Sequence, residues 1–236
     1  MTTTSSGVSP ALSPDIARGA GPRWLYLHGF ASGPDSSKGV AIAQHYADKG
    51  VEVARLNLRL PSFEHLRLSA MIDAVRAAIG GPRDRAIVFG SSLGGLTACR
   101  VAEDDARICA LVLLAPAFRL VERWRERLGE EEFSAWRERG YLEVDDYAEK
   151  RRGRVDYGFV TDFEAVDAEG SGWPDVRVPT LILHGVHDPT VDIALSRAWS
   201  QGKRHVRLVE VDDGHDLMAS LPRIKEEADR FLSPLL

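Results

Sequence analysis

The feature that most constrains the fold of this sequence is a series of six short apolar segments, separated by stretches whose apolar residues recur at helical spacing. The apolar segments have almost no polar face, which is typical of strands that are buried on both sides of a sheet. Parallel strands need crossover connections, and the intervening helices supply them. The sequence therefore predicts a doubly wound α/β fold, a mostly parallel sheet of about six strands with helices on both faces. The predicted strands are 23–28, 51–58, 85–90, 108–116, 178–185 and 205–211.

Chain length and composition fit one such domain. Of the 236 residues 44% are hydrophobic and 28% are charged, which is enough apolar material for a single core. Residues 1–22 are rich in Ser, Thr, Pro, Gly and Ala and lack the apolar centre of a secretory signal. We therefore expect a flexible N-terminal tail, followed by the α/β domain over 23–236.

One segment interrupts the alternation. Residues 117–177 separate two buried strands and are far longer than an ordinary connection, which predicts an insertion. Its first part has apolar and aromatic residues at helical spacing, and 154–160 alternates like a short strand. The insertion is interpreted either as a surface subdomain that packs on itself or as a lid over the active site.

Charge and cysteine content exclude several classes of function. A net charge of -5 leaves no basic surface for nucleic-acid phosphates, so nucleic acid is not an expected partner. No stretch approaches the roughly 20 apolar residues that span a bilayer. Cys99 and Cys109 lie in apolar segments rather than in a disulfide framework, which predicts a reducing compartment, the cytoplasm. The histidines lack metal-ligand spacing, so we expect no metal and no cofactor.

Residues 90–94, Gly-Ser-Ser-Leu-Gly, match the pattern G-x-S-x-G between a predicted strand and a helix over 93–105. A sharp turn from strand to helix strains the serine backbone, and side chains two positions away would collide, so glycines are needed there. Only Ser92 has glycines at both positions, which favours it over Ser91 as a nucleophile. The alternative is a plain Gly-Ser turn.

A serine nucleophile needs a base, and the base needs an orienting carboxylate. Asp188 follows the strand 178–185 and is the expected acid, whereas Asp192 is interpreted as the cap of the next helix. His215 lies in a glycine-containing loop after the last strand and is the expected base; the alternative is an exposed loop histidine. His184 is interpreted as another loop histidine.

The turn His28-Gly29-Phe30 follows the first strand and so lies at the same edge of the sheet as Ser92. The backbone N–H of Phe30, together with that of Leu93, is the expected oxyanion hole. His28 itself is interpreted as a structural turn histidine.

Together, the segments LYLHGFASGPDSSKG, VFGSSLGG, LILHGVHDPTV and DDGHDL resemble the α/β-hydrolase superfamily. The first segment is similar to the small bacterial YqiA-like esterases. The insertion, with ERGYLEVDDYAEKRRGRVDYGFVTDFEA, more closely resembles the compact abhydrolase branch that includes an acyl-protein thioesterase acting on S-palmitoyl and acyl-glucuronide substrates. The resemblance implies an α/β-hydrolase fold and a serine hydrolase with the roles given above.

The expected reaction is hydrolysis of a small carboxylic ester or thioester through an acyl-enzyme. Four aromatic residues of the insertion are expected to line an apolar acyl pocket: Trp124, Phe133, Trp136 and Tyr141. Carbon-carbon bond hydrolases and peptidases use the same triad, so the triad does not separate them from an esterase. A ligand-binding member of the fold without turnover is the alternative from another class.

Overall fold

The computed structural model describes residues 21–167 and 172–235, so that most of the predicted tail lies outside the described residues. Six strands form one parallel sheet in the order β2-β1-β3-β4-β7-β8, which confirms the predicted fold class. Two further strands, β5 and β6, form an antiparallel hairpin inside the insertion. The strands are β1 (Arg23–Leu27), β2 (Val53–Leu56), β3 (Ala86–Ser91), β4 (Ile108–Leu114), β5 (Tyr141–Asp146), β6 (Arg151–Asp156), β7 (Thr180–Gly185) and β8 (Val206–Val211).

Helices cover both faces of the sheet, and the strands alternate between two cores. In β1, Trp24 and Tyr26 face one core while Leu25 and Leu27 face the other, which is why the strand has no polar face. Helices α1 and α7 pack in the first core, and α2, α3 and α6 pack in the second. No helix of the described residues is long and apolar enough to cross a membrane. The helices are α1 (Ser37–Ala47), α2 (Leu68–Ile79), α3 (Leu93–Ala102), α4 (Leu120–Arg139), α5 (Gly158–Asp167), α6 (Ile193–Ser200) and α7 (Leu221–Leu232).

The insertion consists of α4, the β5–β6 hairpin and α5. Helix α4 is divided at Gly129, whose φ of 76° and ψ of 160° are not helical. The strand predicted over 154–160 is wrong in its second half, because β6 ends at Asp156 and α5 begins at Gly158. Phe159 and Phe163 are both buried one helical turn apart, and this spacing favours the helix over a strand.

Ion pairs tie the insertion to the rest of the domain, and two of them are bidentate. Arg59, after β2, donates two hydrogen bonds of 2.8 and 2.7 Å to Asp146 at the end of β5, whose carboxylate is fully buried. Arg67, before α2, donates two bonds of 2.7 and 2.9 Å to Asp156. Bidentate pairs of this kind fix orientation as well as distance. The insertion is therefore held in one place against the domain.

Candidate active site

Ser92 occupies a strained turn between β3 and α3. Its φ of 52° and ψ of -114° lie outside the regions that most residues adopt. A Cβ at Gly90 would lie 2.5 Å from the carbonyl oxygen of Gly94, and one at Gly94 would lie 2.3 Å from that of Leu27. The glycines at both positions are therefore required by close backbone contacts.

The structure brings Ser92, His215 and Asp188 together in one hydrogen-bonded chain. The Ser92 hydroxyl donates to His215 Nε2 at 3.1 Å, and His215 Nδ1 donates to Asp188 Oδ2 at 2.7 Å. The three residues follow β3, β8 and β7, whose carboxyl ends share one edge of the sheet. This arrangement can move a proton from the serine hydroxyl to the imidazole while the carboxylate stabilises the imidazolium.

The Asp188 side chain is fully buried, and both of its carboxylate oxygens accept hydrogen bonds. Oδ1 accepts the backbone N–H groups of Thr190 and Val191, both at 2.8 Å. Oδ2 accepts His215 and also lies 3.2 Å from Nε2 of His184. Burial alone would raise the pKa of Asp188, but the hydrogen bonds from the two histidines and from Val191 outweigh it and hold the pKa well below its ordinary value. The carboxylate therefore stays ionised.

Asp192, the competing carboxylate, caps α6. Its Oδ1 accepts the backbone N–H of Ala194 at 2.8 Å, which confirms its interpretation as a helix cap.

The loop that carries His215 is fixed by Asp213. One carboxylate oxygen of Asp213 accepts the N–H of Gly214 at 2.7 Å, and the other accepts that of Ser220 at 2.8 Å. A Cβ at Gly185, at the end of β7, would lie 2.3 Å from the Asp213 carbonyl oxygen. The acid and base loops thus approach each other closely because β7 ends in glycine.

The turn after β1 lies against Ser92. A Cβ at Gly29 would lie 3.3 Å from the Ser92 Cβ, and Phe30 borders the same cavity as Ser92 and His215. His28 is 3% exposed; its Nδ1 donates to the carbonyl of Gly29 at 2.8 Å. Its Nε2 accepts a hydrogen bond from the backbone.

The backbone group that donates to Nε2 of His28 is the N–H of Leu58, at 3.0 Å. An accepting Nε2 requires a neutral ring, and burial lowers the pKa of His28 accordingly. The interpretation of His28 as structural is therefore confirmed. The oxyanion donors, Phe30 and Leu93, remain a prediction.

A cavity of about 580 Å³ opens onto Ser92 and His215. Its walls come from the turn after β1, from the first half of α4 and from the β5–β6 hairpin. The apolar part of the lining is formed by Phe30, Leu120, Trp124, Leu128, Leu142 and Val144.

Of the four aromatic residues predicted to line this pocket, only Trp124 does so. The prediction is wrong for Phe133, Trp136 and Tyr141. Trp136 is fully buried inside the insertion and donates from Nε1 to the carbonyl of Val155 at 3.0 Å. Phe133 is 3% exposed and packs edge-on against Trp136, with ring centroids 6.0 Å apart. Tyr141 lies under the guanidinium of a neighbouring arginine on the hairpin.

The buried aromatic residues of the insertion belong to the same hydrophobic core as α2 and α3. Trp124 lies where this core meets the cavity, 4.9 Å from the Phe30 ring and 5.5 Å from the Trp136 ring, centroid to centroid.

Comparison with known proteins adds the family. Residues 23–229 match the model of the Uncharacterised protein family (UPF0227). The chain belongs to this family. The match confirms the resemblance to YqiA-like proteins seen in the sequence. No curated protein matches the sequence.

Solved structures of α/β hydrolases share the fold. The mouse alpha/beta hydrolase domain-containing protein 10 has a TM-score of 0.74 at 19% identity, with 91% of each chain covered. Est1E from Butyrivibrio proteoclasticus, solved with ferulic acid bound, has a TM-score of 0.67 at 21% identity, covering 90% of this chain and 88% of that one. The esterase domain of a Rhodothermus marinus protein has a TM-score of 0.62 at 18% identity, with 89% and 86% covered. These matches establish the α/β-hydrolase fold.

Three further residues at the candidate site of this protein were not predicted from the sequence. His184 is not a loop residue but the fifth residue of β7, fully buried. Its Nδ1 lies 2.7 Å from the Ser196 hydroxyl, and its Nε2 lies 2.9 Å from the Val191 carbonyl and faces Asp188. The spacing of His184 and Asp188, four residues apart across a strand end, was the only available signal.

The other two missed residues are cations that border the cavity. The Lys38 ammonium donates to the His215 carbonyl at 3.4 Å. Burial lowers the pKa of Lys38 to about 8, although Asp216, Asp188 and Asp213 partly oppose the shift. Arg123, on α4, donates to the carbonyl of Thr190 in the acid loop. A charged helix such as α4 is ordinarily a solvated surface, so the sequence alone did not distinguish Arg123 from its neighbours.

Proposed function

We propose that this protein is a serine hydrolase that cleaves carboxylic ester or thioester bonds of small acyl substrates. The observation that carries the proposal is the continuous chain from Asp188 through His215 to Ser92, which ends on a serine in a strained turn beside a cavity. The esterases among the structures that share the fold support the same class of reaction.

In the proposed acylation step, His215 Nε2 takes the proton of Ser92 as the hydroxyl oxygen attacks the carbonyl carbon of the substrate. Nδ1 keeps its proton and its hydrogen bond to Asp188, which stabilises the imidazolium. The negative charge on the former carbonyl oxygen is held by the backbone N–H groups of Phe30 and Leu93. When the tetrahedral intermediate collapses, His215 returns the proton to the leaving oxygen or sulfur.

Deacylation repeats these steps with water as the nucleophile. His215 takes a proton from water, the resulting oxygen attacks the acyl carbon, and the proton passes to the Ser92 oxygen as the acid is released. No other reactant is needed. The apolar wall formed by Phe30, Trp124 and Leu128 suits the carbon chain of an acyl group.

Labelling with a fluorophosphonate probe tests the activated serine directly. We expect the wild-type protein to be labelled, Ser92→Ala to be unlabelled, and Ser91→Ala, the neighbouring serine, to keep its label. A folded wild type that does not react would refute the activated serine and favour a ligand-binding protein. If Ser91→Ala loses the label instead, the nucleophile is assigned to the wrong serine.

A panel of p-nitrophenyl esters and acyl thioesters of graded chain length tests the bond type. Turnover that depends on Ser92 supports an ester or thioester hydrolase. Labelling without turnover of any member would contradict this bond class and favour a peptidase or a carbon-carbon bond hydrolase.

A further inference from the structure

The cavity beside Ser92 is bordered by unpaired positive side chains that outnumber the unpaired negative ones. Lys38, Arg123 and Arg127 all border it, and none of them forms an ion pair with a carboxylate in the described part of the chain. The acidic residues of the hairpin that reach the cavity are already paired. Asp145 binds Arg152 at 2.8 Å and Glu143 binds Arg154 at 3.6 Å.

The charge of Arg123 is the least compensated. Nη2 donates to the Thr190 carbonyl, whereas Nη1 is shielded from water and has no hydrogen-bond partner among residues 21–167 and 172–235. A shielded guanidinium nitrogen without an acceptor is unfavourable, and such groups usually have a partner. Asp188 attracts Arg123, but its oxygens already accept three hydrogen bonds, and Oδ2 also lies 3.2 Å from Nε2 of His184.

Lys38 adds a second positive charge, next to the backbone of the triad histidine. Its ammonium makes one long hydrogen bond, to the His215 carbonyl, so it has donors to spare. Asp216, which is exposed, is the remaining acidic residue of the lining. Positive charges in a partly enclosed, low-dielectric space raise the local concentration of anions.

We propose that the substrate carries a carboxylate group, which the charges of Lys38 and Arg123 bind while the carbon chain of the substrate contacts the apolar wall. This inference rests on the proposed function and narrows its substrate class. The carboxylate belongs either to the acyl chain or to the leaving group.

Two matched pairs of esters separate these sources. For the acyl side, the p-nitrophenyl monoester of suberate is compared with its neutral methyl ester. For the leaving-group side, para-acetoxybenzoate is compared with its methyl ester. The measured quantity is the ratio of kcat/KM for the anionic ester to kcat/KM for its neutral partner, because general damage to the triad lowers both values and leaves the ratio unchanged.

We expect the wild-type ratio to exceed about 10 for at least one pair, and Arg123→Gln to lower that ratio by about 10- to 100-fold, the loss typical of a charged hydrogen bond. Lys38→Gln should lower the same ratio. Arg137→Gln serves as the matched control, since Arg137 is an exposed arginine on the same helix, outside the cavity lining. Circular dichroism confirms that each variant is folded.

The outcomes distinguish this inference from the proposed function. If the wild type hydrolyses both members of each pair equally, the anion site is refuted and the hydrolase stands. If Arg123→Gln lowers kcat/KM equally for the anionic and the neutral ester, Arg123 serves only to hold the Thr190 carbonyl, and the anion site is again refuted. If no ester is hydrolysed, the proposed function itself fails.

Discussion

Replacement of Asp188 by asparagine tests the proposed triad most directly, because the two side chains have the same shape. Oδ1 of Asp188 accepts the N–H groups of Thr190 and Val191, and Oδ2 accepts Nδ1–H of His215 and lies 3.2 Å from Nε2 of His184. An asparagine amide can accept at only one of these ends, since the other becomes an NH₂ group.

The amide will turn its NH₂ group toward the histidines. The opposite orientation would leave two backbone N–H groups without an acceptor, at a cost of about 1–3 kcal/mol each. Facing an NH₂ group, His215 must accept on Nδ1 and carry its proton on Nε2. That proton then points at the Ser92 hydroxyl, so the ring can no longer act as a base.

We therefore expect kcat to fall about 10³- to 10⁴-fold in Asp188→Asn, which corresponds to roughly 4–5.5 kcal/mol of transition-state stabilisation. The assay is turnover of a p-nitrophenyl ester together with the rate of fluorophosphonate labelling. Asp192→Asn is the matched control, because asparagine caps a helix as well as aspartate does. Activity in Asp188→Asn within about tenfold of wild type, or an equal loss in Asp192→Asn, would refute the reasoning.

Three further predictions concern the surroundings of the triad. Gly94→Ala places a Cβ 2.3 Å from a backbone oxygen of β1, so we expect it to lower kcat at least 100-fold or to destabilise the fold by about 2 kcal/mol or more. Gly81→Ala is the control, because its Cβ meets only a side-chain oxygen at 3.6 Å, and it should have neither effect. Ester turnover and urea unfolding of both variants check this. His184→Gln removes a positioning contact to Asp188 and should lower kcat about tenfold with little change in KM; a change confined to KM would contradict the positioning role. The pKa of Lys38 is about 8 in the folded protein and near 10.5 in the unfolded chain, so between these pH values the unfolded chain binds more protons. The free energy of unfolding of the wild type should therefore rise relative to that of Lys38→Met as pH rises through this window. Urea unfolding at pH 7.5 and 9.5 measures the difference, and a fall would contradict the assigned direction of the pKa shift.

The sheet and the meeting of the three triad loops followed from the sequence because both depend on strong local patterns. The residues of β4 face a core on each side of the sheet, so this strand is an unbroken apolar run in the sequence. Few other structures produce such a run. Parallel strands then force the loops after β3, β7 and β8 to one edge, so the contacts between Ser92, Asp188 and His215 needed only the loop positions. The spacing of the glycines indicated the nucleophile turn.

The lining of the cavity could not be predicted in the same way. Helical spacing shows that Trp124 and Trp136 are apolar positions of α4, but not which of them faces the cavity and which the interior of the insertion. That choice depends on how α4 packs on α5 and the hairpin, and on the break at Gly129. Tertiary packing also decides the role of His184, whose partners come from β7, α6 and the acid loop.

In the proposed hydrolase, reactivity depends on the loops at the edge of the sheet, and selectivity depends on the insertion. The hydrogen bonds that hold Asp188 and His215 come from the acid and base loops and from β7, whereas much of the cavity wall comes from α4 and the hairpin. The Arg59–Asp146 and Arg67–Asp156 pairs fix that wall without touching the triad. Substitutions in the wall should therefore change which ester is preferred while leaving the labelling of Ser92 nearly unchanged. Arg123 connects the cavity wall to the loops at the sheet edge, because its guanidinium borders the cavity and binds the loop that carries Asp188. The ratio of kcat/KM for an anionic ester to kcat/KM for its neutral partner therefore tests the role of Arg123 better than turnover alone.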